Sequence, residues 1–201
     1  MIISFEQFQE KFVSFAINNI LTMKGLIFTE FLEMVESKFG FEVADRIIMA
    51  SNLKSEGVYT SVGTYDFGEM LSLIVNLNKE TKVEIPVLIQ TFGEYLFSRF
   101  VVLYAHFFND KSSVFDFLEK LEEYIHAEVL KLYPDAQLPR IDISRPNNKQ
   151  MRMVYYSSRK LSDLAVGMLK GCIEHYNEEI NIEREFIKED GSEVEILLTK
   201  E

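Results

Sequence analysis

Tyr155, Ser157 and Arg159 stand at alternate positions in the stretch MVYYSSRK, and a histidine, His126, lies upstream in the amphipathic run FDFLEKLEEYIHAEVLKLYPDAQLPR. In an extended segment, residues two apart point to the same side, so a phenol, a hydroxyl and a guanidinium would converge on one spot. That spot suits a carboxylate. Arg presents a two-pronged, charge-assisted donor that Lys does not reproduce, and the two hydroxyls add further donors. A helix would keep 155 and 159 together but turn Ser157 away, so the triple cluster requires extended backbone. Together with one distant imidazole, the set describes a flat ligand with an acidic edge, held at its rim by the acid groups and by one axial bond. Taken singly, each residue has a plainer reading: a half-buried helical histidine, and a solvent-facing strand in which Tyr, Ser and Arg are common.

The elements that must position these residues are readable from periodicity. Apolar residues three and four apart predict helices over 24–38, 41–51, 66–79, 84–107 and 113–132, punctuated by Gly40, Gly63, Pro86 and Asn109-Asp110. After Pro139 the segments IDIS, QMRMVYY, EINIEREFIK and SEVEILL alternate as strands do, with a helix near 160–176 between the second and third. In the helix over 113–132 the apolar stripe runs through Val114, Phe117, Leu118, Leu121, Ile125, Val129 and Leu132, and His126 lies beside it. Its neighbours one turn back are Glu122 and Glu123, and one turn on are Val129 and Leu130, which puts the ring between acidic surface and core. His106 is expected to pack at a helix end and His175 to lie on a solvated helix face.

Composition narrows the function classes. The chain has 201 residues, 47% hydrophobic, with 17 Phe and 4 Pro, enough for one compact domain or a tightly joined pair of subdomains wrapped round an apolar ligand. A net charge of −11 argues against nucleic acid and anionic membrane surfaces, because phosphate binding needs clustered Lys and Arg. Cys172 is the single cysteine, which excludes an intrachain disulfide and a cysteine-built zinc cage and fits a reducing, cytoplasmic setting. No apolar run is long enough to span a membrane. There is no phosphate-cradling glycine loop, metalloprotease motif or nucleophile set, so the expectation is a protein that is not an enzyme.

In order and spacing, the blocks resemble the haem-nitric oxide/oxygen binding (H-NOX) family, related to the haem domain of soluble guanylate cyclase, over nearly all of residues 23–200. MKGLIFTEFLEMVESKFG is similar to the family's usual start, and TFGEYLF follows. His126 falls where the family keeps its iron ligand, and PNN precedes the YxSxR signature formed by Tyr155, Ser157 and Arg159. A YxSxR pattern alone is common; its place among the other blocks carries the likeness. The resemblance implies an α+β fold, with an N-terminal helical subdomain packed on a C-terminal α/β subdomain whose sheet is mostly antiparallel. Haem b would lie between them, as in a stand-alone bacterial member. It further implies His126 as axial ligand, Tyr155, Ser157 and Arg159 on the propionates, and Pro139 pressing on the haem plane. Some bacterial relatives carry a Cys/His zinc site near the C-terminus, for which this chain lacks the cysteines.

Bound oxygen gathers negative charge on its outer atom and gains from a nearby donor, whereas nitric oxide gains much less. In oxygen-binding relatives a tyrosine nine residues after the motif's first Tyr supplies that donor; here the position is Leu164. Phe31 stands where an oxygen-binding relative has tryptophan, and Ile27 fits an apolar wall, so the distal pocket resembles that of the nitric oxide-selective branch. Tyr95 and Tyr104 remain open as donors from elsewhere. The implied function is a haem-based sensor of nitric oxide, with carbon monoxide as a second gas. It would signal by release of the proximal histidine to a partner such as a histidine kinase or a cyclic-di-nucleotide enzyme. An oxygen-binding or redox haem sensor and a haem-free interaction module stand as alternatives. Residues 23–201 form the expected domain. Residues 1–22 form an extension lacking signal-peptide features, whose Phe5, Phe8, Phe12 and Phe15 recur at near-helical spacing; it is either a packing or partner-binding helix or a start upstream of Met23.

Overall fold

The computed structural model describes residues 21–108 and 113–201, so the phenylalanine repeat at Phe5, Phe8, Phe12 and Phe15 lies outside the described residues. The chain divides into two compact units that join between Ile85 and Pro86.

The first unit contains β1 (Thr22–Lys24), α1 (Gly25–Phe39), α2 (Phe41–Ala50), β2 (Thr64–Asp66) and α3 (Phe67–Thr81). Its three helices begin and end within two residues of the predicted spans. The paired strands β1 and β2, antiparallel with Met23 opposite Tyr65, were not expected, since three residues are too few to show an alternation. They bring the start of α1 against the loop at 60–63. There the Gly25 and Leu26 N–H groups, which have no partner inside the helix, donate to the carbonyls of Gly63 (2.8 Å) and Ser61 (3.1 Å). A Cβ on Gly25 would sit 1.9 Å from the Thr60 carbonyl oxygen, so the approach requires glycine. Phe28, Phe31, Met34 and Val35 of α1, Ile47 of α2 and Met70, Leu73 and Leu77 of α3 are buried at helical spacing.

Helix α4 (Ile85–Leu103), which lies in the second unit from Pro86 onward, carries that proline in its first turn, where a missing N–H costs nothing, and is followed by a short 3-10 turn at Ala105–Phe107. Next come α5 (Val114–Glu119), a π-helical turn (Leu121–His126) and α6 (Ala127–Leu132). Then β3 (Arg140–Asn147), β4 (Gln150–Tyr156), α7 (Ser162–Tyr176), β5 (Ile180–Phe186) and β6 (Glu193–Lys200) complete it. The four strands form one sheet in the order β3-β4-β6-β5, antiparallel throughout. The α+β class and the antiparallel sheet therefore stand as expected. Alternation along β4 buries Met151, Met153 and Tyr155 with Ile196 and Leu198 of β6, under Val166, Leu169 and Cys172 of α7.

Helix α7 meets α4 backbone to backbone. A Cβ on Gly93, the glycine of TFGEYLF, would lie 2.5 Å from the Leu164 carbonyl, and one on Gly167 would lie 2.1 Å from the Gln90 carbonyl. Across the same contact the Gln90 side chain donates to Asp163 at 2.9 Å and accepts from Lys170 at 2.8 Å.

The expected continuous helix over 113–132 is interrupted. Ser113 and Asp116 close a capping box at its start, and Arg145 of β3 bonds the Asp116 carboxylate at 3.0 Å. At Lys120 the ladder widens: its carbonyl accepts from both Tyr124 and Ile125 at 3.0 Å. An extra residue in one turn rotates everything after it by about 100°. Val114, Phe117 and Leu118 accordingly keep the predicted apolar stripe and are buried, whereas Leu132 is 57% exposed.

Gly167→Ala forces two helix backbones apart and should lower unfolding free energy by about 1–3 kcal/mol, measured by denaturant titration. The Asp116 carboxyl is held down to about 2 by its bond to Ser113, then by Arg145. Its folded value is depressed, so its contribution is present above the ordinary 3.8 and disappears as pH falls through about 2. An NMR titration should place its midpoint there, and Arg145→Ala should raise it.

Candidate functional site

The histidine and the donor trio of the sequence reading all lie in the second unit. His126 is the last residue of the π-helical turn, with its side chain 15% exposed. Its Nδ1 is 3.1 Å from Oε1 of Glu122, and the same oxygen accepts the backbone N–H of Ile141, in β3, at 2.7 Å. Burial pulls the His126 pKa below its ordinary value of 6.5, while the adjacent Glu122 carboxylate pushes it up. Burial is the larger effect, so the ring is neutral at neutral pH. A neutral imidazole with one nitrogen committed to a carboxylate has its second nitrogen's lone pair available, which is the state that bonds a metal. One imidazole is one ligand; a metal held there must take its remaining bonds from another group, as iron in a porphyrin does.

Tyr155, Ser157 and Arg159 converge, but not by one extended strand. β4 ends at Tyr156, and residues 157–160 form a turn in which Lys160 takes a positive φ of 57°. The turn is tied to the β5–β6 loop: Ser157 N–H donates to the Ser192 carbonyl at 3.0 Å, and Lys160 pairs with Asp190 at 3.1 Å. Within it the Arg159 N–H donates to Ser157 Oγ at 3.2 Å. Tyr155 is buried, and burial raises its pKa against the opposing pull of Ser157, which hydrogen-bonds the phenol, and of the nearby Arg159 charge. Burial likewise lowers the pKa of Arg159, which is 8% exposed. A buried guanidinium must be hydrogen-bonded. Here Nη1 donates to the Gln137 carbonyl at 2.6 Å and Nη2 to the Gln137 side-chain oxygen at 3.1 Å. The set is a compact, cationic donor cluster suited to carboxylates.

The β3–β4 register joins the two halves of the site. Ile141, which reaches Glu122, pairs with Tyr155. Between Gln137 and Ile141 sits Pro139, half-buried, in a segment clipped at one end to Arg159 and at the other to Glu122. Glu122 and Gln137 had not been singled out as site residues. The first has a weak signal, being four residues before His126; the second has none, because its partner is remote in sequence.

The remaining candidates are placed on separate elements. Ile27 is half-buried and Phe31 buried on α1 of the first unit, four residues apart on one face; Leu164 is half-buried in the first turn of α7. The Tyr104 hydroxyl lies 3.2 Å from that of Tyr133, which caps the helix following His126. His106 and His175 are both exposed, the latter on α7 as expected; His106 lies in the 3-10 turn after α4, its ring 4.1 Å from that of Phe107.

A family model described as Haem-NO-binding matches residues 24–184. Comparison with curated proteins gives no match. Among solved structures, the chain is similar to the Fe(II) unliganded H-NOX protein from K. algicida, with 44% identity and a TM-score of 0.83 over 89% of this chain and 97% of that one. The IWP-051-bound H-NOX from Shewanella woodyi in the Fe(II)CO state is 36% identical, with a TM-score of 0.78 over 89% and 95%. An H-NOX protein from S. oneidensis in the Fe(II)NO state is 26% identical, with a TM-score of 0.81 over 89% and 99%.

In the chain without ligand, NMR titration of His126 should give a midpoint below 6.5; a midpoint above it would mean that the Glu122 charge outweighs burial. Because the folded value is depressed, the neutral ring's contribution to stability holds above 6.5 and is lost as pH falls below it. Arg159→Ala removes two bonds from a charged donor and should cost about 1.5–3 kcal/mol, with faster amide exchange at Gln137 and Leu138.

Proposed function

The chain belongs to the haem-nitric oxide/oxygen binding (H-NOX) family of haem-based gas sensors, and on that footing we propose that it binds haem b through His126 and senses nitric oxide. The observation that carries the proposal is the pairing, in one unit, of a half-buried imidazole whose Nδ1 faces Glu122 with a donor cluster built on the buried Tyr155 and Arg159. Such a pair fits a ligand with one metal at its centre and two carboxylates at its rim.

His126 would supply the axial nitrogen. Arg159, with Tyr155 and Ser157, would hold the propionates. Two of the Arg159 donors hold oxygens of the neutral Gln137, and a charged carboxylate makes a stronger partner. In a chain of net charge −11, a dianionic ligand needs such a local donor set to offset repulsion. Pro139, between the two clips, would lie against the haem face. Bound here, the haem would supply a ferrous iron able to take a diatomic gas.

Leu164, Ile27 and Phe31, the positions that the family likeness assigns to the gas side, are all apolar and offer no donor, which favours nitric oxide, and carbon monoxide, over oxygen. The bond between the Tyr104 and Tyr133 hydroxyls gives Tyr104 a partner at the end of the His126-bearing helix. Similar proteins have been captured in Fe(II)NO and Fe(II)CO states, which supports both gases as ligands. Signalling would run from His126. Its release from the axial bond would free the π-helical turn and α6 to shift, and a state in which that bond is broken differs energetically from one in which it is made. The exposed α6 residues Leu130 and Leu132 would change position with it, to be read by a partner such as a histidine kinase or a cyclic-di-nucleotide enzyme. No helix among the described residues is long and apolar enough to cross a membrane, and a cytoplasmic sensor is the setting the lone buried cysteine suits.

Expression with haem supply should give a Soret band, and its absence would favour a haem-free interaction module. His126→Gly should lose haem unless imidazole is added; unchanged uptake without imidazole would refute the axial role. The ferrous protein should form no stable complex in air and should bind nitric oxide, whereas a persistent oxygen complex would overturn the apolar reading of Leu164.

A further inference from the structure

We propose that Glu122 is a positioning residue: one carboxylate oxygen sets which nitrogen of His126 carries the proton and ties the π-helical turn to the head of β3. The inference rests on His126 being the haem ligand. Glu122 Oε1 lies 3.1 Å from His126 Nδ1 and 2.7 Å from the Ile141 backbone nitrogen. The backbone N–H can only donate, so the oxygen is an acceptor there. An acceptor oxygen facing Nδ1 requires that nitrogen to be the protonated one. The lone pair is thereby assigned to Nε2, and the ring plane is held for it.

The second bond gives the arrangement its reach. β3 is an edge strand of the sheet, and its Ile141 N–H is taken by Glu122, while Ile141 pairs in register with Tyr155 of β4. Glu122 thus stands between the histidine turn and the strand pair that ends in the donor cluster. Glu123, its neighbour in the turn, is exposed, so the assignment to Glu122 comes from position in the widened turn rather than from acidity alone. An acceptor on the far nitrogen of a ligating histidine raises the basicity of the ligating one, and loss of such a partner typically weakens metal binding about 10–100-fold.

Two variants separate positioning from bulk structure. Glu122→Gln keeps an oxygen for both N–H donors but loses the charge; Glu122→Ala loses both. In haem-free protein, nitrogen-15 NMR of His126 should show the Nδ1–H tautomer, and the Ile141 amide should exchange slowly. Glu122→Ala should abolish the tautomer preference and speed that exchange on the order of 10-fold, while Glu122→Gln stays close to wild type in both. In haem-loaded ferrous protein, the iron–histidine stretch seen by resonance Raman should fall in Glu122→Gln and further in Glu122→Ala. Haem affinity should drop about 10-fold or more in the latter. An unchanged stretch in both variants overturns the positioning role, and an unchanged tautomer with a still-protected Ile141 amide in Glu122→Ala overturns the clip. A wild-type chain that takes up no haem brings down the haem reading and the ligand-positioning role with it. The tautomer and exchange results of the haem-free arm would still decide the clip.

Discussion

A guanidinium removed from water has to be hydrogen-bonded, and for Arg159 that condition joins the turn after β4 to the segment before β3. Arg159 can be buried because the strand preceding it stops at Tyr156 and the chain turns, tied to Ser192 and Asp190 of the neighbouring loop. It stays buried because Gln137 offers both a main-chain and a side-chain oxygen. Those two acceptors are neutral. A carboxylate makes a stronger partner for a guanidinium than a neutral amide oxygen does.

The histidine side depends on a local departure from regular helix. With a single α-helix from 113 to 132, the stripe from Val114 to Leu132 would have faced the core along its whole length. The widened turn ends that stripe, sends Leu130 and Leu132 to solvent, and leaves His126 half-withdrawn with Glu122 beside it. Widened turns cost helix regularity and persist where something else is gained. Here the gain is a carboxylate that faces two donors from different elements.

The elements with long, strong periodicity were legible in the sequence. α1, α2, α3 and α7 and all four strands of the larger sheet fall where the spacing of apolar residues puts them, because each presents one buried face. β1 and β2 were not legible, since pairing of three residues is decided by the loop that needs them. The interruption at Lys120 was not legible either, because LEKLEEYIH fits an unbroken helix as well as a widened turn. Of the site, the residue types and their convergence could be read, but the route to convergence could not: strand alternation was assumed through Arg159, whereas a turn with a positive φ at Lys160 does the work after Tyr156. Gln137 was invisible because its contact spans 22 residues of chain.

The contact between α4 and α7 has a further bearing on Leu164. It is the main-chain oxygen of this residue that lies against Gly93, and the adjoining Asp163 is bound by Gln90 and by Arg184. The backbone at 164 is therefore pinned from two directions, independently of which side chain it bears. Position 164 behaves as a socket: lineages or designers can exchange what is plugged into it, and so retune the chemistry of that helix face, without relocating the face itself.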